Sequence, residues 1–143
     1  MSGGLKDIPK DVFINYYAEF LEKSGQINIP SWIEICKSSS LKKYSPNQSN
    51  WIFKRMASII IKFYIYKKLG TRQLVRIYNG KKKGRRSKKT NGSGKIIRFS
   101  IKELEKMKIL KKDESGRFGL SKKAQNEIDT RSGKLVKFIN LNK

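Results

Sequence analysis

The sequence has no histidine, one cysteine and three prolines. Without histidine it lacks the commonest general base, and the usual Cys/His zinc sites are excluded. A single thiol closes no internal disulfide, so nothing points to secretion, and Cys36 reads as a small core residue. Long hydrophobic runs are missing as well. The most apolar segment, 51–66, is broken by Lys54, Arg55 and Lys62, and its longest uncharged stretch, 56–61, is too short to cross a bilayer. The start, MSGGLKDIPKD, is polar and charged and does not read as a secretory leader. A soluble protein with no membrane partner is expected.

Negative charge is the scarcest feature of all. Eleven Asp and Glu face 34 Lys and Arg, a formal charge of +23. The imbalance is local. Residues 1–35 carry three basic and five acidic side chains, whereas residues 36–102 carry 20 basic ones and no carboxylate. An ordinary solvated surface mixes both signs. A compact chain so charged repels itself and calls for a polyanion. A lysine-rich composition alone would not empty one region of carboxylates, so nucleic acid is the expected partner. Catalysis finds little support. No carboxylate sits beside an obvious nucleophile, and the GSG at 92–94 follows no strand, as a phosphate-cradling loop requires. Neither enzyme activity, cofactor, metal nor small-molecule substrate is expected.

The length fits one domain, 1–143, with a modest core. A first helix is expected over 10–23, with Asp7 as a possible cap, Pro9 in the first turn and Gly25 at the end. Val12, Phe13, Tyr16, Phe20 and Leu21 form its apolar face. A short second helix opens at Pro30 and Ser31, and 38–48 reads as a loop. The third helix, capped by Ser49 or Asn50 and running to about Lys68, is apolar nearly all round, which places it at the centre of the core. Its polar stripe is Lys54, Ser58 and Lys62. Trp32, Trp51, Phe53 and Tyr64 are assigned to the core. Leu69 and Gly70 make a tight turn, and Thr71 caps a fourth helix, 72–78, that turns Arg72 and Arg76 outward. Residues 81–95 hold eight basic side chains and no apolar one, so they read as a flexible basic wing. A fifth helix covers 95–107 with Ile96, Ile97, Ile101 and Leu104 inward. Short strands at 109–112 and 117–120 flank the turn DESG, and a last helix opens at Ser121 with Ala124 and Ile128 inward. Residues 132–143 read as a basic tail. The fold class expected is mainly α: a helix-turn-helix with a wing around a central buried helix, followed by a short C-terminal β-hairpin.

Arg72 and Arg76 lie four apart and each offers a planar fork to phosphate oxygens. The wing adds Lys81, Lys82, Lys83, Arg85, Arg86, Lys88, Lys89 and Lys95, and the central helix adds Lys54 and Lys62. KKKGRRSKK, 81–89, also suits a nuclear localisation patch. A lysine-rich wing whose one amide side chain is Asn91, and a chain without an obvious dimer seam, favour backbone recognition of structured RNA. A winged-helix DNA-binding regulator is the alternative. No homo-oligomer is expected.

Several segments resemble one family in the right order. KSGQINIPSWIE (23–34), NWIFKRMAS (50–58), RIYNG (76–80), LEKMKIL (104–110) and the stretch from Gly116 to Asp129 are similar to motifs of the small-subunit ribosomal protein family S19e of eukaryotes and archaea. The resemblance implies a winged-helix core and a non-enzymatic protein of the small-subunit head. It also implies contact with the subunit's rRNA and neighbouring head proteins, and support for maturation of the RNA precursor. Cytoplasmic ribosomes, with a nucleolar or nuclear stage during assembly, are the implied location. On the same resemblance Arg55 and Arg98 join the rRNA-binding set. Ile61, beside Lys62, replaces an arginine usual in the family, and Arg98 is followed by Phe99 where the family has paired arginines. Gly119 is an extra residue in the terminal hairpin. The wing is almost pure lysine and glycine, with Arg85 and Arg86, where the family has aromatics and arginine.

Overall fold

A computed structural model describes residues 5–34, 51–78, 80–81, 89–90 and 94–141. It contains helices α1 (Lys10–Ser24), α2 (Trp51–Tyr66), α3 (Thr71–Ile77), α4 (Gly94–Lys106) and α5 (Lys122–Leu141). Between them run strands β1 (Lys68–Leu69), β2 (Gly80–Lys81), β3 (Lys89–Thr90), β4 (Leu110–Lys112) and β5 (Phe118–Leu120). Cys36, Ser49, Asn50 and the loop 38–48 lie outside the described residues.

α2 is the central helix. Eight of its side chains are buried, among them Ile52, Met56, Ile59, Ile60 and Phe63, because its apolar residues leave only a narrow polar stripe. α1 lies along it and buries Phe13, Tyr17, Ala18 and Leu21. That face differs from the expected one: Val12 is exposed, and Tyr16 and Phe20 sit at the rim. Apolar residues at 12–13, 16–17 and 20–21 form two adjacent rows, and packing against α2 selects the 13–17–21 row. Phe53 is in the core, whereas Trp32, Trp51 and Tyr64 are only partly buried against it. Pro9, not Asp7, occupies the cap of α1, with no side-chain cap bond, and Gly25 ends the helix at φ 65°. The short second helix is a 3-10 turn, Ser31–Glu34.

The sheet decides the fold. Leu69 is not a tight turn: β1 pairs antiparallel with β5, Leu69 opposite Phe118, and β5 pairs with β4. The strand order is therefore β1-β5-β4. Helix, strand, helix, helix, strand, strand, with the first strand against the last, fits a winged-helix unit built from α2, β1, α3, α4, β4 and β5. In that arrangement the wing is the β4–β5 hairpin, expected only as a C-terminal appendage. Most of the basic stretch 81–95 lies in the connection between α3 and α4, which includes a small antiparallel ribbon, Gly80 opposite Thr90 and Lys81 opposite Lys89, and its last residue, Lys95, belongs to α4.

Asp113 closes the wing turn. Its Oδ1 accepts hydrogen bonds from the Ser115 hydroxyl at 2.7 Å and from the Ser115 and Arg117 N–H groups at 3.0 and 2.9 Å. Oδ2 pairs with Lys68 of β1 at 3.3 Å. These bonds to the charged form, the Ser115 hydroxyl foremost, bring the Asp113 carboxyl down to about 2. After the wing, Ser121 caps α5 by accepting the Ala124 N–H at 3.2 Å. α5 then runs to Leu141, so residues 132–141 are its second half rather than an extended tail. Leu135, Val136 and Ile139 pack against the core at helical spacing. The Tyr64 hydroxyl donates to Asp129 at 2.7 Å, which ties α5 to α2.

Candidate nucleic-acid interface

α3 is seven residues long and buries Leu74. That anchor leaves Arg72 and Arg76 on the exposed side. Gly70 caps the helix in extended conformation, and its N–H donates to Gln73 Oε1 at 2.8 Å. α4 buries Ile96, Ile97, Ile101 and Leu104, and the helical period then turns Lys95, Arg98 and Lys102 outward. α3 packs against α4.

Between them runs a groove of about 450 Å³ lined by Thr71, Arg72, Val75, Arg76, Gly94 and Arg98. Three guanidinium groups therefore share one concavity, and no carboxylate lines it. The groove continues past Thr71 and Arg98 into a second stretch of about 370 Å³ that adds Lys102, Lys106 and Phe118 of the wing. Only there does a carboxylate, Glu105, join the lining. Gly94 makes room for Arg98: a Cβ at this position would stand 2.8 Å from a guanidinium nitrogen. Arg98 thus lies over the first turn of α4, which holds no acidic residue and already carries the positive end of the helix dipole. Among the described residues, Arg72, Arg76, Lys95, Arg98 and Lys102 form no ion pair. The carboxylates that are paired serve other places: Glu19 and Glu127 on α1 and α5, Glu103 beside Lys106, and Asp113 in the wing. An array of unpaired cations that share a groove is suited to phosphate oxygens.

The predicted set divides. Arg72, Arg76 and Arg98 come together in the groove. Lys95 stands at its edge and places its ammonium 4.3 Å from the centre of the Trp32 ring, which in turn meets Phe99 edge-on at 5.6 Å. Lys81 and Lys89 are register partners in the backbone of the ribbon. Lys82, Lys83, Arg85, Arg86 and Lys88 lie outside the described residues. Lys54, Arg55 and Lys62 do not line the groove and are half-buried on α2. Arg55 stacks on the Tyr78 ring with 4.1 Å to its centre, and burial lowers its pKa. Lys102 is a groove residue that the sequence reading leaves out, although its spacing of four from Arg98 on a helix is the signal that would have found it.

No helix among the described residues is long and apolar enough to cross a membrane, and no group of metal-binding side chains occurs among them. The chain matches the family model described as ribosomal protein S19e over residues 4–137. It is 35% identical to small ribosomal subunit protein eS19B of Schizosaccharomyces pombe over 127 residues, 87% of this chain and 89% of that one. It is 38% identical to eS19 of Entamoeba histolytica over 127 residues, 87% of this chain and 81% of that one. With eS19 of Candida albicans the identity is 33% over 128 residues, 87% and 88% of the two chains.

Proposed function

The chain belongs to the ribosomal protein S19e family, and from that premise we propose that it is a structural, non-enzymatic component of the small ribosomal subunit that binds the subunit's rRNA through the α3–α4 groove. The observation that carries this reading is the meeting of Arg72, Arg76 and Arg98 in one groove stretch without a carboxylate. The further basic residues of 81–95 supply more cations for an RNA backbone. The acidic first 35 residues, with α1 packed on α2, face away from RNA and toward neighbouring proteins of the subunit head. The same reading carries support for maturation of the rRNA precursor, residence in cytoplasmic ribosomes and a nucleolar stage of assembly.

Sedimentation tests it. The wild-type chain should co-migrate with small subunits in moderate salt, and the triple variant Arg72→Ala, Arg76→Ala, Arg98→Ala should leave that fraction while keeping its helical circular dichroism. A triple variant found in small subunits at wild-type occupancy would show that the groove is not the contact. A wild-type chain that runs instead as a free dimer and shifts duplex DNA would make the protein a DNA-binding regulator.

A further inference from the structure

Arg55 differs from the arginines of the groove. They are exposed, whereas Arg55 is half-buried and committed to an aromatic ring. We propose that Arg55 is a positioning residue: with Ser58 it grips Tyr78, fastens the base of the basic ribbon β2–β3 to the central helix, and serves recognition through the ribbon rather than by touching phosphate. The part played in recognition rests on the RNA reading above; the fastening does not.

The geometry has three elements. Arg55 and Ser58 stand three apart on α2 and so share one face of the helix. The Arg55 guanidinium covers the Tyr78 ring at 4.1 Å, and the Tyr78 hydroxyl shares a 2.6 Å hydrogen bond with Ser58 Oγ. Tyr78 is therefore held at its ring face and at its tip. Tyr78 also ends α3, its N–H bonded to the Leu74 carbonyl at 3.1 Å, and it stands two residues before Gly80, where the ribbon begins. The grip thus fixes the point at which the chain leaves α3. A planar guanidinium covers the ring face to face, whereas a lysine ammonium, as at Lys95 and Trp32, meets a ring only as a point charge and covers less of it. Arg55, Ser58 and Tyr78 come from two separate segments, 50–58 and 76–80, and the fold makes them one contact.

Amide hydrogen exchange of the free, full-length chain tests the fastening without RNA. In Arg55→Met and in Tyr78→Leu the β2 and β3 amides should exchange on the order of tenfold faster, with no further increase in the double variant, while α2 and α5 amides stay at wild-type rates. Unchanged β2 and β3 exchange would overturn the proposal. If Arg55→Met does not fold, Arg55→Lys takes its place, with the charge kept, the plane lost and the same acceleration expected. Affinity for a small-subunit rRNA transcript tests the second half. Tyr78→Leu removes no charge, yet it should weaken binding by the same factor as Arg55→Met. Wild-type affinity in Tyr78→Leu beside weakened binding in Arg55→Met would make Arg55 a direct phosphate contact and overturn the proposal. Faster exchange with affinity unchanged in every variant would leave the fastening intact and remove the ribbon from recognition.

Discussion

Removing Arg72, Arg76 and Arg98 together should change the salt dependence of RNA binding by a calculable amount. Each exposed guanidinium that meets a phosphate displaces a counterion, which contributes about 0.9 to the slope of log affinity against log salt on a duplex and about 0.7 on a single strand. Three such groups line one groove stretch and have no carboxylate partner among the described residues. The slope should therefore fall by roughly 2 to 3 in the triple alanine variant. Between about 50 and 200 mM salt, this corresponds to a loss of affinity roughly 20- to 40-fold smaller than that of the wild type. The assay is a salt titration of binding to a small-subunit rRNA transcript, with circular dichroism to confirm the fold. Removal of Lys6, Lys10 and Lys23 takes away the same charge from the acidic end of the chain, where Lys23 already pairs with Glu19 at 2.8 Å. That control should leave the slope nearly unchanged. Equal slopes for the two triple variants would refute the groove as the phosphate-binding surface, because net charge alone would then account for binding.

Two further predictions concern stability. Burial, aided by Glu127, pushes the Tyr17 hydroxyl up to about 12. A folded-state pKa raised above the unfolded value of about 10 contributes stability that is present below pH 10 and lost as pH rises through about 12. Tyr17→Phe keeps the ring and removes the titration, so the alkaline loss of stability between those pH values should be shallower by an amount on the order of 3 kcal/mol, read by denaturant titration at several pH values. An identical alkaline profile in the variant would refute this. Separately, Lys108 ends α4 with φ 63°, a left-handed conformation that costs an L side chain about 1 kcal/mol. Lys108→Gly should raise the melting temperature by roughly 3 °C, and a fall would show that the lysine stem packs productively there.

Much of the helical framework was legible from spacing. The near-continuous apolar surface of 51–66 identified the central helix, and Ser121 with Ala124 and Ile128 marked the start and inner face of α5. The DESG turn between two short strands was equally clear, because Asp113 has the side chain that such a turn uses. The role of that hairpin was not. β1 has two residues, too few for a period, and its partner β5 lies some fifty residues further on, so only tertiary pairing reveals that the hairpin closes the sheet. The second half of α5 was hidden by its lysines, since Leu135, Val136 and Ile139 are only partly buried and define a weak stripe. At the site, Arg72 and Arg76 follow from charge and helical phase, whereas Arg98 enters only through the family resemblance. The inward turn of Arg55 follows from neither, because it depends on a ring more than twenty residues away.

In an ordinary helix-turn-helix the angle between the two helices is set by a turn of three or four residues. Here sixteen residues, 78–93, separate α3 from α4. The two helices nevertheless pack against each other, with Leu74 of α3 and Ile97 and Ile101 of α4 buried, so helix packing sets the width of the groove. Loop closure depends only weakly on length, about 0.6 kcal/mol for each doubling. The insert can therefore be lengthened, shortened or recoded between the ribbon strands while the three arginines keep their spacing. If the groove is the RNA contact proposed above, selection is then free to remodel how the chain reaches along an RNA without disturbing where it grips.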